Sequence, residues 1–365
     1  MRVALVNGSK RFDGHTVQFH SYVNGLRAVG VEPSIYTCID PSDADSYAPE
    51  GTVIPGWRVP LGTEGEMGFN RLLPILVRRL RAIEGDIIHV NDVYLSRLAA
   101  YRDNVLVSVT DLGKLKTRYY NRSSSWLHNL HLRYVNRCRG IICAAESVRA
   151  EVIQELDVPA DRVHVVPLST PTRSPSPVSP PLPPSEARPW TLLCVATDRP
   201  HKNIGGFLEV VKRLGPSYRG LLVSRLTDAT RRRIDAEGLG KRIEVRSDVS
   251  NLADLYRSAQ VLVFPSLYEG FGIPLIEAMR HGLPVVAARR TTIPEVLGEG
   301  GTAVEPGDYD AWVTAIKALT DADRYREAAR RSWERGALFG PEQTGRALVK
   351  AYEAARQAPG PLSSK

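Results

Sequence analysis

Short runs of β-branched and other apolar residues alternate with longer amphipathic stretches along almost the whole chain of 365 residues. This alternation is typical of β-α-β units, in which helices join parallel strands and cover both faces of the sheet. We therefore predict an α/β protein. The predicted strands are Arg2–Val6, Ser34–Cys38, Asp86–Val90, Val105–Thr110, Gly140–Ala144, Arg162–Val166, Thr191–Ala196, Leu221–Ser224, Ile243–Arg246, Val261–Pro265 and Pro284–Ala288.

A proline-rich segment divides this pattern into two halves. Residues 169–189 read STPTRSPSPVSPPLPPSEARP, and so many prolines are incompatible with a helix or a central strand. We predict a semi-rigid linker there, between an N-terminal Rossmann-like domain (residues 1–168) and a C-terminal one (190–340). A last helix pattern at about 341–357 lies too far beyond the last strand to belong to the second sheet. We expect this helix to pack back on the first domain.

Two helix ends carry recognisable signals in the first half of the chain. An amphipathic pattern predicts a helix over residues 16–29, with Gly30 as its stop. Ser147 is predicted to be the N-cap of a helix that ends near Leu156.

The composition indicates where the protein is expected to be located and which class of partner it is expected to bind. The net charge of +8 favours anionic partners, which include nucleic acid, anionic lipid and phosphorylated substrates. No nucleic-acid-binding motif is visible, no apolar run approaches the length of a membrane span, and the N-terminus has no signal-peptide pattern. We expect a cytoplasmic protein that binds no nucleic acid. Its cysteines show no disulfide or zinc spacing, and we expect reduced, buried thiols at Cys38, Cys138, Cys143 and Cys194.

The segment YEGFGIPLIEAM, residues 268–279, has the features of a phosphate-binding turn. Gly270 and Gly272 permit a tight turn after the preceding strand, and Pro274 suits the first turn of a helix because its missing N–H costs nothing there. The start of such a helix binds phosphate through unpaired N–H groups and the positive end of the helix dipole. We expect those N–H groups to be the ones on Gly272, Ile273 and Leu275.

Two glutamates bracket this turn. Glu269 precedes the glycines, and Glu277 lies one helical turn inside the predicted helix. Because carboxylates accept hydrogen bonds from vicinal hydroxyls, the pair suggests a sugar on one side of a diphosphate and a ribose on the other. The alternative is that both glutamates simply cap a helix and face solvent.

Residues 268–279, followed by GLPVVAA and by Ile293-Pro-Glu-Val, resemble the E-x7-E signature region of the family 4 retaining glycosyltransferases. The resemblance extends to TDRPHKN (197–203), to RVHVVPLST (162–170) and, more weakly, over the N-terminal domain. It implies the GT-B fold, in which two doubly wound Rossmann-like domains face a central cleft. The C-terminal domain would then bind a nucleotide-sugar donor, and the N-terminal domain an acceptor.

The same resemblance implies residue roles. Glu269 would contact the donor sugar, Glu277 the ribose, and Lys202 the diphosphate, where its charge would assist departure of the leaving group. Lys202 and Glu269 are thus the expected catalytic residues, although a lysine there could also be a solvated helix-start residue. The further donor-binding positions implied are Gly14, Arg199, Val249, Gly270, Phe271, Gly272, Ile273 and Leu275.

The sequence departs from the family at VSVTDLG. Relatives commonly have His-Asp at this strand end, where this chain has Thr110 and Asp111. We keep both residues as candidate acceptor or sugar contacts. A threonine cannot replace an imidazole of variable charge. If the histidine contributes to sugar binding in relatives, this chain must use another group or work more slowly.

No Asp-x-Asp metal site stands out at a strand end. We expect metal-independent transfer of a hexosyl unit, mannosyl narrowly favoured, with no cofactor beyond a GDP- or UDP-linked donor. The acceptor is expected to be a glycan or a lipid-linked molecule.

Two basic stretches suggest contact with an anionic membrane, and so a peripheral position on its inner face. Residues 112–145 contain no acidic residue, and residues 71–83 read RLLPILVRRLRAI. The alternative is a pair of solvated basic helices over a core.

Other functions stay open at this point. A GT-B phosphorylase or sugar-nucleotide epimerase could share the architecture, and a non-catalytic nucleotide-sugar binder would be consistent with Thr110. Products would separate the first two from a transferase, and nucleotide binding without turnover would identify the third.

Overall fold

The structure of the chain is a computed structural model that describes residues 1–8, 14–37, 52–53, 74–116, 129, 131–170, 174, 176–179, 181–247, 249 and 251–358. The chain forms two compact units. Unit 1 comprises Met1–Ser169 and Pro341–Lys365, and unit 2 comprises Thr170–Gly340.

Unit 1 is built on a parallel sheet of seven strands. In chain order these are β1 Val3–Asn7, β2 Ser34–Thr37, β3 Thr52–Val53, β4 Ile87–Val90, β5 Val105–Ser108, β6 Gly140–Cys143 and β7 Val163–Val165. They lie side by side in the order β3-β2-β1-β4-β5-β6-β7, and every pairing is parallel. The order reverses direction between β1 and β4, where such sheets leave a crevice at their carboxyl ends.

Unit 2 repeats this architecture with six parallel strands. They are β8 Trp190–Val195, β9 Tyr218–Val223, β10 Ile243–Arg246, β11 Val261–Phe264, β12 Val285–Ala288 and β13 Thr302–Val304. Their order is β10-β9-β8-β11-β12-β13, so the corresponding crevice lies between β8 and β11. The predicted α/β class with two doubly wound sheets is confirmed. The sequence prediction lacked the short strands β3 and β13.

Helices connect the strands in both units. Unit 1 has α1 Gly14–Ala28, α2 (74–80), α3 Gly113–Lys116 and α4 Glu146–Leu156. Unit 2 has α5 Ile204–Leu214, α6 Asp228–Ala236, α7 Ala253–Ser258, α8 Ile273–Arg280, α9 Ile293–Leu297, α10 Tyr309–Ala318 and α11 Ala322–Gly336. The last helix, α12, is Pro341–Gln357. Short 3₁₀ helices are Val93–Ala100, Val135–Arg137, Ala160–Arg162, Pro200–Lys202, Gly298–Gly300 and Ala337–Phe339.

The prediction for Ser147 was wrong. Helix α4 already begins at Glu146, with Ala145 in the N-cap position and no side-chain cap, so Ser147 lies inside the first turn. Glu146 is a carboxylate in that turn and is stabilised by the helix dipole, which explains the earlier start.

Most of the central strands are buried along their whole length. All residues of β1, β4, β5 and β6 are buried in unit 1, as are those of β11 and β12 in unit 2. Their apolar runs follow from this, because helices cover both faces of a doubly wound parallel sheet. Among the described residues, no helix combines the length and the apolar character that crossing a membrane requires.

The described part of the proline-rich segment packs on unit 2. The Ser174 N–H donates to the Arg280 carbonyl at 3.0 Å, and the Trp333 indole N–H donates to the Ser174 carbonyl at 3.0 Å. The Trp190 indole N–H similarly donates to the Leu182 carbonyl at 2.8 Å. The boundary between the units therefore falls at Ser169, before most of this segment.

Helix α12 packs closely along α1. A Cβ added at Gly25 would lie 2.9 Å from the backbone nitrogen of Gly345, and one at Gly345 would collide with the Gly25 carbonyl oxygen. Two glycines thus allow the helix backbones to approach each other. The Thr344 hydroxyl also donates to the Pro167 carbonyl at 2.7 Å, which joins α12 to the end of β7.

Arg139 holds the C-terminal end of α12. Its half-buried guanidinium donates to the carbonyl oxygens of Ala355, Arg356 and Ala358 at 2.6, 3.1 and 2.9 Å. The last carbonyls of a helix lack partners within the helix, and a cation there also interacts favourably with the helix dipole.

We predict that Arg139→Ala lowers the free energy of unfolding of unit 1 by about 1–3 kcal/mol, since it removes charge-assisted hydrogen bonds. Hydrogen exchange measured by mass spectrometry should show faster exchange along α12. Arg346→Ala in the same helix is the control, because the Arg346 guanidinium pairs with the exposed Glu342 and such pairs contribute little. Equal effects of the two substitutions would contradict this account of the helix end.

Candidate functional site

The turn between β11 and α8 has the geometry expected of an anion site. Gly272 has φ 99° and ψ 62°, and a Cβ there would meet the Leu275 side chain at 3.0 Å. Both observations favour glycine, because other residues rarely adopt positive φ. Within the described chain, no side chain caps the start of α8, and Pro274 lies in its first turn. The helix start is therefore available for an external acceptor.

One detail of the expected turn was wrong. The Leu275 N–H is not unpaired, because it donates to the Gly272 carbonyl at 3.0 Å. The first turn of α8 closes in a tight i to i+3 manner, which satisfies an N–H that a regular helix would leave free. The candidate phosphate donors are then the N–H groups of Gly272 and Ile273.

Lys202 and Glu269 meet at the carboxyl ends of β8 and β11. The Lys202 ammonium lies 2.7 and 2.8 Å from the two carboxylate oxygens of Glu269. The Glu269 side chain is 8% exposed and that of Lys202 22% exposed. A carboxylate buried to this degree needs a paired cation, and Lys202 supplies it.

Two hydrogen bonds hold the lysine segment against the end of β11. The 3₁₀ turn Pro200–Lys202 ends at Asn203, which has a left-handed φ of 52°. The Asn203 side-chain amide donates to the Pro265 carbonyl at 3.1 Å, and the Leu267 N–H donates to the His201 carbonyl at 2.7 Å. These bonds fix the distance between the segments that carry Lys202 and Glu269.

Two threonines that the sequence analysis did not single out fix the backbone of Glu269. The Glu269 N–H donates to the Thr291 hydroxyl at 3.1 Å, and the Thr292 hydroxyl donates to the Glu269 carbonyl at 3.1 Å. Thr291 has φ 45°, an unfavourable value for a β-branched residue. Their position just after β12, beside the site in the sheet order, is the signal that could have identified them.

Glu277 lies one turn into α8, where Tyr256 binds it. The Tyr256 hydroxyl donates to a Glu277 carboxylate oxygen at 2.7 Å, and the Tyr256 ring stacks on His281 with centroids 5.5 Å apart. Burial raises the pKa of Glu277 to about 7, although the Tyr256 hydrogen bond opposes the shift. Burial and the neighbouring carboxylate raise the pKa of Tyr256 well above its ordinary value.

The other predicted donor positions lie in unit 2, except for Gly14. Gly270 and Phe271 are buried, and the Phe271 ring packs edge-on against Phe339 at 5.9 Å. Arg199 is exposed and precedes the lysine turn as its N-cap residue, whereas Val249 is half-buried after β10. Gly14 belongs to unit 1, where it is the first residue of α1.

Thr110 and Asp111 follow β5 in unit 1. The Thr110 hydroxyl donates to the Gln18 side-chain oxygen at 2.9 Å and lies 3.4 Å from Nδ1 of His15. The Asp111 carboxylate accepts from the Gly113 N–H at 2.7 Å and so begins α3. An imidazole is therefore present beside Thr110, but it comes from the start of α1. No sequence spacing indicated this.

Comparisons with known proteins identify the family of this chain. Residues 12–173 match the family described as Glycosyltransferase Family 4, and residues 189–322 match Glycosyl transferases group 1. Together these matches cover most of both units. The chain belongs to the family 4 glycosyltransferases. The resemblance seen in the sequence is confirmed.

Curated relatives of this family 4 glycosyltransferase include several mannosyltransferases. It is 31% identical over 235 residues to O-antigen chain mannosyltransferase B of Escherichia coli, covering 58% of this chain and 60% of that one. It is 30% identical over 193 residues to the MMP alpha-(1->4)-mannosyltransferase of Mycolicibacterium hassiacum, covering 50% and 46%. The matched region thus spans about half to three fifths of the length of these relatives.

Solved structures share the fold. HepE from Anabaena, in complex with UDP and glucose, superposes with a TM-score of 0.75 at 16% identity, over 96% of this chain and 98% of HepE. Sucrose-phosphate synthase from Thermosynechococcus elongatus gives a TM-score of 0.75 at 20% identity, over 97% and 98%. The GT-B assignment is confirmed.

We predict that Glu277→Gln stabilises unit 2 in a pH-dependent manner in the absence of ligand. Glu277 has a pKa of about 7 in the folded protein against an ordinary 4.5, so the folded state binds more protons between these values and loses stability as pH rises through them. Glutamine should therefore raise the stability by about 1–3 kcal/mol at pH 8 and by little at pH 5.

Tryptophan fluorescence during denaturation would measure this change, because Trp190, Trp312 and Trp333 all lie in unit 2. Glu299→Gln, at an exposed glutamate of the same unit, is the control and should show no such dependence. A Glu277→Gln effect that is equal at both pH values would contradict a buried, proton-binding carboxyl.

Proposed function

We propose that this family 4 glycosyltransferase transfers a hexosyl unit, with mannosyl favoured, from a nucleotide-diphosphate sugar to a glycan or lipid-linked acceptor. Transfer is proposed to retain the anomeric configuration and to need no metal ion or other cofactor. The observation that carries the proposal is the Lys202–Glu269 pair, which lies in the crevice region of the unit 2 sheet, between the ends of β8 and β11. The uncapped start of α8 lies a few residues after Glu269, at Gly272 and Ile273.

The donor diphosphate is proposed to lie at the start of α8. The N–H groups of Gly272 and Ile273 and the Lys202 ammonium are all hydrogen-bond donors suited to phosphate oxygens. A sugar on this diphosphate would then present its hydroxyls to the Glu269 carboxylate, which only accepts hydrogen bonds. Arg199, Gly14 and the buried Gly270–Phe271 backbone are further proposed donor contacts.

Glu277 is proposed to bind the ribose of the nucleotide. Its carboxylate is held by the Tyr256 hydroxyl through one oxygen, which orients the group without a second charge. Val249, just after β10, is proposed to contact the base. The preference for mannose, and narrowly for GDP, is supported by relatives named as mannosyltransferases.

Charge stabilisation is the proposed source of catalysis. As the glycosidic bond breaks, negative charge develops on the departing diphosphate, where Lys202 and the α8 start would stabilise it. Glu269 is a poor candidate for a proton acceptor, because both its oxygens lie within 2.8 Å of the Lys202 ammonium. The departing phosphate is instead proposed to take the acceptor proton, on the face from which it leaves.

Calorimetric titration with GDP-mannose, UDP-glucose and their free nucleotides would test the donor site. The test variant is the double substitution Lys202→Met with Glu269→Gln, which avoids leaving a buried charge unpaired. We expect it to weaken donor binding by about tenfold or more, since a charge-assisted contact to phosphate is lost. Lys241→Met, at an exposed lysine of unit 2, is the control.

Several outcomes would contradict the proposal. Binding of no nucleotide sugar, or equal binding by wild type and the double variant, would remove the donor site. Donor binding without release of nucleotide in the presence of acceptors would indicate a non-catalytic binder, and sugar phosphate or an epimerised donor as product would indicate a phosphorylase or an epimerase. Loss of turnover on addition of a chelator would refute metal independence.

Unit 1 is also proposed to bind anionic membrane through α2. Leu76, Val77 and Leu80 of this helix are buried, whereas Ile75, Arg78 and Arg79 are exposed. An exposed apolar residue beside two cations suits the interface of an anionic bilayer. The basic stretch at 112–145 lies partly outside the described residues, so the proposal rests on α2.

We predict that the double substitution Arg78→Glu with Arg79→Glu abolishes co-sedimentation with vesicles that contain phosphatidylglycerol. The wild type should bind these vesicles better than neutral phosphatidylcholine vesicles, and less strongly as salt increases. The matched control is Arg231→Glu with Arg232→Glu, at exposed positions of α6. Equal binding to neutral and anionic vesicles, or no binding to either, would contradict the proposal.

A further inference from the structure

A continuous chain of side-chain hydrogen bonds crosses the interior of unit 1. It joins the end of β5 to α12 by way of α1 and β4, and all its members except the half-exposed first one are fully buried. We call it the relay. Its members, in order, are Thr110, Gln18, Tyr22, Ser108, His89 and Tyr352.

At the β5 end, Gln18 fixes the direction of two bonds. Its side-chain oxygen accepts the Thr110 hydroxyl proton at 2.9 Å, and its side-chain nitrogen donates to the Tyr22 hydroxyl oxygen at 2.7 Å. An amide has distinct donor and acceptor ends. Binding of Tyr22 at the donor end therefore leaves the acceptor end facing Thr110.

At the α12 end, His89 fixes the remaining directions. The Ser108 hydroxyl donates to the Tyr22 oxygen at 3.3 Å, so it must accept from Nε2 of His89, which lies at 2.8 Å. Burial lowers the pKa of His89 to about 3, so the ring is neutral and only one nitrogen carries a proton. Nδ1 is then an acceptor, and the Tyr352 hydroxyl donates to it at 2.8 Å.

The order of the hydrogen-bond donors determines which bonds Thr110 can make at the carboxyl end of β5. Because the Thr110 hydroxyl donates to Gln18 at 2.9 Å rather than to Nδ1 of His15 at 3.4 Å, the Thr110 oxygen can only accept a further hydrogen bond. We propose that Gln18 and Tyr352 are positioning residues that hold the Thr110 oxygen as a fixed acceptor for a hydroxyl of the sugar acceptor. This rests on the proposed transfer reaction, and it gives α12 a role at a site 242 positions earlier in the chain.

If Tyr352 acts through the relay, its substitution should change the NMR signals of the other members of the relay. Substitution of a tyrosine that only stabilises the fold should not. NMR of the ¹⁵N-labelled protein should show His89 with its proton on Nε2, and Tyr352→Phe should shift both the His89 ring and the Gln18 side-chain amide. Tyr325→Phe is the matched control. It removes another buried tyrosine hydroxyl, one that donates to the Gln260 carbonyl at 2.8 Å in unit 2.

Kinetics would test the consequence for transfer. With GDP-mannose as donor, and with water and methyl α-mannoside as probe acceptors, Tyr352→Phe should lower kcat/KM by about two- to tenfold, the effect of one hydrogen bond. The dissociation constant for GDP-mannose should not change, because the hydrogen bond that is removed, from Tyr352 to His89, involves none of the proposed donor-binding residues. Thr110→Val should lose more activity than Thr110→Ser, which keeps the hydroxyl.

An unmoved Gln18 amide in Tyr352→Phe, or equal turnover in Tyr352→Phe and Tyr325→Phe, would overturn the proposal. A His89 proton on Nδ1 would also contradict the role of Tyr352, because the bonds that join Tyr352 to Tyr22 through His89 and Ser108 would then run in the opposite direction. A wild type that neither binds nor turns over GDP-mannose, while its Gln18 amide responds to Tyr352→Phe, would instead refute the proposed function. The role of Thr110 would then fall with it, but the order of hydrogen bonds would stand.

Discussion

The candidate site in unit 2 depends on the ion pair between the buried Glu269 carboxylate and the Lys202 ammonium. Transfer of an unpaired carboxylate from water into a protein interior costs several kcal/mol, so this position requires a cation within hydrogen-bond distance. The strand order satisfies the requirement, because it places β8 beside β11 and so brings the segment with Lys202 to the end of β11. The hydrogen bonds from the Asn203 side-chain amide to the Pro265 carbonyl and from the Leu267 N–H to the His201 carbonyl then hold the two segments together.

This arrangement is well suited to a ligand that is negative at one end and rich in hydroxyls at the other. An ammonium has three donors, so Lys202 can bind a phosphate oxygen and stay paired with Glu269, whose remaining lone pairs can accept from hydroxyls of a sugar. Thr291 and Thr292 keep the Glu269 backbone in place. Such preorganisation is what charge stabilisation in a transition state requires.

Much of this site could be predicted from the sequence, and the rest could not for identifiable reasons. Glu269, Glu277 and the glycine turn are adjacent in the chain, so their geometry follows from local rules about strands, glycine and helix starts. Tyr256 and the two threonines come from neighbouring segments whose approach depends on sheet order and on side-chain rotamers. The prediction that the Leu275 N–H is unpaired was wrong, because the first turn of a helix can close with an i to i+3 hydrogen bond that satisfies this group.

Unit 1 and the helix that returns to it could also be predicted only in part, because their contacts join segments that are distant in the chain. The periodicity of α12 was visible, but its packing on α1 depends on two glycines, Gly25 and Gly345, and on the three carbonyls that Arg139 binds. The relay is less accessible still, since His89 and Tyr352 are 263 residues apart. A pattern search within one segment cannot detect a hydrogen-bond chain of this kind.

We propose that the start of α8 and the Lys202–Glu269 pair hold the diphosphate and sugar of a nucleotide sugar. A crystal structure of the protein with GDP-mannose bound would test this arrangement. We expect phosphate oxygens within hydrogen-bond distance of the Gly272 and Ile273 N–H groups and of the Lys202 ammonium, with sugar hydroxyls on Glu269. A nucleotide bound with its phosphates away from α8, and with the Lys202–Glu269 pair intact and untouched, would contradict it.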